Sequence, residues 1–227
     1  MSRILYGAPL SPFVRKLRIS LQEKDLDHAL EMVMPYSPPD WYFDLNPLGR
    51  IPAFKDGDIT LADSSVIGQY LDDAYPATTC LYGESAADRA RVRWLEKYAD
   101  YEVAPHATFT VFGQRLLLPS GGQQCDDAKV RHALDIALPP LFDYLEQELG
   151  NRRFFVSERL SMADIAIVTQ WINMDYGDEP LDARRWPNLA RHDQAIRGLP
   201  TVRAILQSEL WIVQKLRDKA ARPGAAS

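Results

Sequence analysis

Leu48-Gly49-Arg50-Ile51-Pro52-Ala53-Phe54, followed eleven residues after Pro52 by Asp63-Ser64-Ser65-Val66-Ile67, is the stretch whose reading decides the fold. Asn46-Pro47-Leu48-Gly49 is turn-like and gives way to a short apolar run, so Pro52 opens a strand and does not interrupt one. An Ile-Pro bond reaches the cis state at far lower cost than other peptide bonds. In that state the backbone N–H and C=O of Ile51 turn outward, where an extended peptide-like ligand pairs with them as an added strand. Asp56-Gly57-Asp58 then signals a hairpin, Ile59-Thr60-Leu61 a second short strand, and Asp63-Ser64 a helix start. The free N–H groups of such a start attract carboxylates.

Upstream, Ile4-Leu5-Tyr6 reads as a short buried strand that breaks at Gly7-Ala8-Pro9-Leu10. Ser11-Pro12 is an N-cap followed by a first helical proline, which gives up no needed N–H there. The helix is expected to about Glu23, with Val14, Leu17, Ile19 and Leu21 inward and Arg15, Lys16 and Arg18 outside. A second strand is expected near Ala29–Met34 and a weak helical turn over Trp41–Leu45. Ser64–Ala74 has the apolar recurrence of a helix. The order β-α-β-α-β-β-α implies a small mixed sheet with helices on its faces.

Downstream of Tyr75-Pro76 no segment reads as a strand, and a chain break between domains is expected near Thr78–Ala87. Ala86–Val103 reads as a helix with Trp94, Tyr98 and Tyr101 spaced 4 and 3. Leu118-Pro119-Ser120-Gly121-Gly122 reads as a loop. Val130, Leu134, Leu138, Leu141, Leu145 and Leu149 form a helical stripe that Pro139-Pro140 should kink or split. Leu160-Ser161-Met162-Ala163-Asp164-Ile165 is a capping signal, and the helix behind it is apolar nearly all round, as a domain core requires. Trp186-Pro187 and Leu199-Pro200 start two more helices, and the tail after Arg222 reads as disordered.

Composition narrows the functional classes. The chain has 227 residues, 46% hydrophobic and 25% charged, which fits an ordinary globular protein. No run approaches a membrane span or a signal peptide, so no membrane association and a cytoplasmic location are expected. A formal charge of −5, with no basic block, argues against nucleic acid as a partner. Cys80 and Cys125 are isolated, and His28, His106, His132 and His192 show no ligand spacing, so no metal is expected.

Four motifs, Ser11-Pro12-Phe13-Val14-Arg15, Asn46-Pro47-Leu48-Gly49-Arg50-Ile51-Pro52, Asp63-Ser64-Ser65-Val66-Ile67 and Ser161-Met162-Ala163-Asp164, stand in the order and spacing of the cytosolic glutathione transferases. The chain resembles that family over nearly its whole length. The resemblance implies an α/β thioredoxin-like N-terminal domain, residues 1–77, and an all-α C-terminal domain, residues 88–222, that lines the acceptor-substrate pocket. It also implies glutathione as cosubstrate, a small hydrophobic electrophile as second substrate, a detoxification role and a homodimer. The dimer is expected between the sheet domain of one chain and the helices near Arg89–Tyr101 of the other, with Asp100 reaching the neighbour's glutathione. The likeness is greatest to the serine-type classes, and not to the omega-like branch, which has cysteine in place of Ser11.

Carried over residue by residue, the resemblance puts the catalytic hydroxyl at Ser11. Glutathione would be held by Ile51 before cis Pro52, by Asp63 and Ser64 at its γ-glutamyl end, and by Arg50. Asp63 is one methylene shorter than the glutamate frequent in the family, and Ser157 stands where a glycine is usual. The chemistry fits these places. Only a thiolate attacks electrophiles well, and an O–H donor at a helix N-terminus favours the anion. The acceptor pocket would then be lined by Leu10, Phe13, Tyr101, Phe109 and Phe112. Tyr6 is the rival hydroxyl, though its place in a buried strand suits core packing better. Peroxide reduction and dehalogenation are variants of the same chemistry. A non-catalytic ligand-binding or regulatory protein on the same fold is the alternative.

Overall fold

The computed structural model describes residues 3–221, so the expected disorder after Arg222 lies outside the described residues. Arg3–Tyr6 (β1) is followed by the helix Pro12–Glu23 (α1), which Ser11 caps in an extended conformation before a first-turn proline. Ala29–Glu31 (β2) lies parallel to β1, and Ala53–Asp56 (β3) antiparallel to its other side. Ile59–Ala62 (β4) returns along β3 through a turn in which Gly57 takes the left-handed φ of +59°. The sheet order is β2-β1-β3-β4. Ser64–Ala74 (α2) joins α1 against the sheet, and Val14, Leu17 and Leu21 pack with Leu5, Phe54, Ile67 and Leu71. This is the expected thioredoxin-like layer.

After Ala62 the described residues contain no strand. Ala86–Tyr98 (α3) runs on through wider i→i+5 turns at Ala99–Val103 and Pro105–Leu117 into Leu118–Ser120 (α4). Asp127–His132 (α5), a wide turn at Ala133–Ala137 and Leu138–Leu149 (α6) form a second long rod. Met162–Tyr176 (α7) is buried on every side from Met162 to Met174 and is the axis of the helical layer. Pro187–Arg197 (α8) and Pro200–Ala220 (α9) complete it.

Four expectations need correction. Arg15 and Lys16 are not outside: they are 0% and 1% exposed, and Arg18 is half-buried. The reason is that α1 is covered on both faces, by the sheet and by α7 and α9, and a buried charge persists only when paired. Glu209 of α9 takes Arg15 and Arg18, while Glu96 and Asp100 take the Lys16 ammonium at 2.8 and 2.7 Å. Second, β2 ends at Glu31 and not near Met34, because β1, its one partner among the described residues, ends at Tyr6. Third, Leu118-Pro119-Ser120 is the last turn of a helix, and the break comes at Gly121-Gly122. Finally, the helix expected to end at Val103 continues past Pro105.

Pro139-Pro140 does not split the helix, which runs from α5 through the wide turn into α6 without a break. Neither proline has an N–H to offer, and the turn before them widens so that the Leu138 N–H reaches the Ala133 carbonyl. The capping box at Ser161 and Asp164 forms as expected.

Candidate active site

Ser11 stands at the end of the turn between β1 and α1. Its N–H donates to the Ala8 carbonyl at 3.0 Å, and its Oγ accepts only a long 3.4 Å bond from the Val14 N–H. The Ser11 hydroxyl proton has no acceptor among the described residues. The first-turn N–H groups and the positive end of α1 point the same way. An anion placed there meets a donor and a favourable dipole.

The peptide bond Ile51-Pro52 is cis. The loop before it is held by the Arg50 carbonyl, which accepts from Tyr42 Oη at 2.8 Å and Asn46 Nδ2 at 2.6 Å. Those bonds leave the Arg50 side chain exposed at the edge of the site. At the start of α2, Asp63 adopts φ +74° and its Oδ1 accepts from the N–H groups of Ser65 and Val66 at 2.8 and 3.2 Å. Ser64 is the first helical residue and is buried.

A cavity of about 410 Å³ opens between the two layers at Ser11. One wall is the turn and start of α1, from Ala8 to Phe13; Met32, Met34, Pro35 and Tyr36 form the next, with Arg50 and Ile51 at the edge. Thr108, Phe109, Phe112, Gly113 and Leu117 face them, Asn173 of α7 lies behind, and Ile212 and Leu216 of α9 close the side. Phe13 and Phe109 approach across the layers with ring centroids 6.2 Å apart.

The buried polar atoms of this wall are engaged with the protein. Thr108 Oγ1 donates to Gln170 Oε1 at 2.6 Å, and Asn173 Nδ2 donates to the Leu10 carbonyl and to Thr108 Oγ1, each at 3.3 Å. What remains facing the space is mainly apolar, with the Ser11 hydroxyl at one side and Arg50 at the edge. A larger cleft of about 590 Å³ lies at the linker near Lys24, Asp72, Cys80 and Arg93. Its charges are mixed and it does not reach Ser11.

Of the sequence-derived residues, the structure brings Ser11, Leu10, Phe13, Arg50, Ile51, Phe109 and Phe112 to one cavity. Pro52, Asp63 and Ser64 do not line it. Tyr101 does not line it either: it is 62% exposed, with the Lys97 ammonium 4.9 Å from its ring centroid. The wide turns after Ala99 rotate the helix faces, so a residue counted on 3.6 spacing lands on another side. Tyr6 is buried beside Trp41, away from the cavity, and burial, with Glu31 adding to it, pushes its phenol pKa up. Asp100 has Oδ2 on Lys16 and 3.5 Å from Ser65 Oγ within the same chain. Sequence reading missed Met32, Met34, Tyr36, Thr108, Asn173, Ile212 and Leu216. Of these, Asn173 left a signal, shared with its neighbour Gln170, as an amide inside a helix otherwise apolar nearly all round.

Residues 5–79 match the family model described as the glutathione S-transferase N-terminal domain, and residues 128–192 match that of the C-terminal domain. The chain belongs to the glutathione S-transferase family. It is 45% identical over 207 residues to a glutathione S-transferase of Triticum aestivum, across 89% of this chain and 92% of that one. Glutathione S-transferase 3 of Zea mays is 34% identical over 167 residues, 70% and 72% of the two chains. Among solved structures, a glutathione S-transferase from Rhodospirillum rubrum F11 superposes with a TM-score of 0.82 at 26% identity, over 90% of this chain and 91% of that one. As a glutathione S-transferase the chain takes glutathione as cosubstrate, in the two-layer fold described above. No described helix is long and apolar enough to cross a membrane.

Proposed function

We propose that this glutathione transferase is of the serine type, and that it joins glutathione to small hydrophobic electrophiles with Ser11 stabilising the thiolate. One observation carries the reading: an uncommitted hydroxyl at the N-terminus of α1 opens onto a mainly apolar cavity with Arg50 at its edge. The Ser11 O–H donates to the glutathione sulfur, and the α1 dipole adds to it, so the thiol loses its proton nearer neutral pH. The thiolate then attacks an electrophile held among Phe13, Phe109 and Phe112. A sulfur–carbon bond forms as the leaving group departs with its electron pair. Reduction of a hydroperoxide or displacement of a halide would use the same thiolate.

Glutathione lies extended along the edge at Ile51 and cis Pro52, with Arg50 on the tripeptide. Its γ-glutamyl end reaches Asp63 and Ser64, where the start of α2 suits a carboxylate. The domains divide as residues 1–77 and 88–222, and the enzyme works in the cytoplasm in detoxification. Two chains associate through the sheet domain of one and the α3 region of the other. Val66, Trp94 and Tyr101, which are 49%, 51% and 62% exposed, supply apolar surface for that contact. Retention on immobilised glutathione, then turnover of a panel of aryl halides, epoxides, enones and hydroperoxides, tests the activity. No retention and no turnover would refute it. Sedimentation of a 25.8 kDa species at micromolar concentration would refute the dimer.

A further inference from the structure

We infer that Asn173 is a positioning residue for this reaction: its side-chain amide holds the peptide carbonyl before Ser11 and thereby aims the Ser11 hydroxyl. The inference rests on the reading of Ser11 as the thiolate-stabilising group. A hydroxyl is directed only as well as the backbone that carries it, and Ser11's own side-chain bond, 3.4 Å to the Val14 N–H, is at the limit of a useful hydrogen bond. The peptide joining Leu10 to Ser11 has a second tie. Asn173 Nδ2 reaches the Leu10 carbonyl at 3.3 Å from the opposite layer of the molecule.

That tie belongs to a closed ring. The Ser11 carbonyl accepts from the Arg15 N–H at 2.8 Å; the Arg15 Nη1 donates to Asn173 Oδ1 at 2.8 Å; and Asn173 returns to Leu10. Arg15 is itself fixed from outside the ring by three bonds to Glu209, from Nε at 2.9 and 3.2 Å and Nη2 at 2.8 Å, and by Nη1 to the Thr169 carbonyl at 3.2 Å. Arg15, Asn173 and Glu209 are each 0% exposed. Docking of α1 on α7 and α9 is supplied by Arg15 and Arg18 on Glu209 and by Arg15 on the Thr169 carbonyl. The amide on Leu10 adds something different, since it ties the turn before the cap to α7. A buried amide is costly unless bonded, and here its bonds run to the turn that presents the reacting group.

The test compares pH profiles. In Asn173→Ala the pH–rate curve for conjugation, and the thiolate absorbance of bound glutathione, should move up by about half a pH unit, and kcat near neutrality should fall about threefold. KM for glutathione should stay as it is, because Ile51, Asp63 and Ser64 are untouched. Asn173→Ser, which leaves a hydroxyl for Arg15, supplies the same reading should the alanine variant not fold. Ser161→Ala removes a buried hydrogen bond at the other end of α7, Oγ to Asp164 Oδ2 at 2.7 Å, that shares no partner with Asn173, and should lower Tm without moving the profile. The double variant Ser11→Ala with Asn173→Ala should match Ser11→Ala alone. Unmoved profiles in the Asn173 variants, an equal shift in Ser161→Ala, or additive shifts in the double variant would each overturn the proposal. If Ser11→Ala moves the profile and the Asn173 variants do not, only this proposal falls; if Ser11→Ala itself does not, the reading of Ser11 falls and this proposal with it.

Discussion

Ser11 before α1 and Ser161 before α7 obey the same local rule: an extended serine precedes the first helical residue. Around Ser161 the hydrogen-bonding groups of the cap itself are matched. Its N–H and Oγ both donate to Asp164 Oδ2, at 2.8 and 2.7 Å, and Asp164 Oδ1 accepts from the Phe155 N–H at 2.8 Å, with His192 Nε2 3.4 Å away. Around Ser11 there is one long bond and a cavity. The same residue in the same backbone role therefore serves stability where its hydrogen-bonding capacity is consumed, and chemistry where capacity is left over. That difference depends on the surroundings and not on the motif.

The comparison breaks hardest at Asp164. Asp164→Ala leaves the buried N–H groups of Phe155 and Ser161 without an acceptor, which should cost roughly 3–5 kcal/mol of stability. Urea unfolding measures it, and a loss under about 1 kcal/mol would mean that the box at α7 is not consumed in holding the fold. The pH–rate profile of the folded fraction should not move.

Ser11→Ala should show the reverse pattern. A hydrogen bond to a charged partner is worth roughly 1.5–3 kcal/mol, so the bound thiol should titrate about one to two pH units higher. Stability should fall by only about 1 kcal/mol, the value of an ordinary N-cap. Glutathione affinity should change little. Tyr6→Phe is the control, and if it abolishes the bound-thiolate absorbance while Ser11→Ala preserves it, the catalytic hydroxyl lies on the other residue.

Between these two caps stands a third, at Asp63, whose Oδ1 already serves Ser65 and Val66. If the start of α2 holds the γ-glutamyl end, Asp63→Ala with Ser64→Ala should weaken glutathione binding about tenfold, near 1.4 kcal/mol. The pKa of the thiol that still binds should not change. Unaltered affinity by calorimetry would remove α2 from the site.

The strands, the caps and the apolar stripes were legible because they are written in neighbouring residues. Ser11-Pro12, Asp56-Gly57-Asp58 and Ser161 to Asp164 each carry their own geometry within a few positions. Arg15 and Lys16 were misread because their partners, Glu209, Glu96 and Asp100, lie 80 to 194 residues away. A charge on a helix reads as solvated until the second layer that covers it is known. The cavity is a related case: Phe109 and Phe112 line it and Tyr101 does not, because which face of a long helix meets the first domain depends on the wide turns within it, which no short motif records. Asn173 shows a middle case, visible as an anomaly in α7 although its target, Leu10, was not.

The smallest effect concerns a carboxylate on α8 that is largely covered without being well supplied. Asp193 of α8 has one cation, Arg197, with Nε at 2.8 Å, whereas Asp164 has two backbone N–H groups and a hydroxyl. Burial pushes the Asp193 carboxyl up to about 6, against the pull of Arg197, with the charge of Asp175 adding to the rise. The sign follows from proton binding. Between the ordinary value of 3.8 and about 6 the folded chain holds a proton that the unfolded chain has lost, so stability declines as pH rises through that window. Above it both states are ionised, and the folded state bears the full cost of the buried charge. Asp193→Asn mimics the protonated form at every pH. It should therefore stabilise the protein by about 1 kcal/mol at pH 8 and leave it nearly unchanged near pH 4. Equal effects at both pH values, or destabilisation at pH 8, would show that Arg197 outweighs burial and that one good partner is enough to hold a buried carboxylate charged.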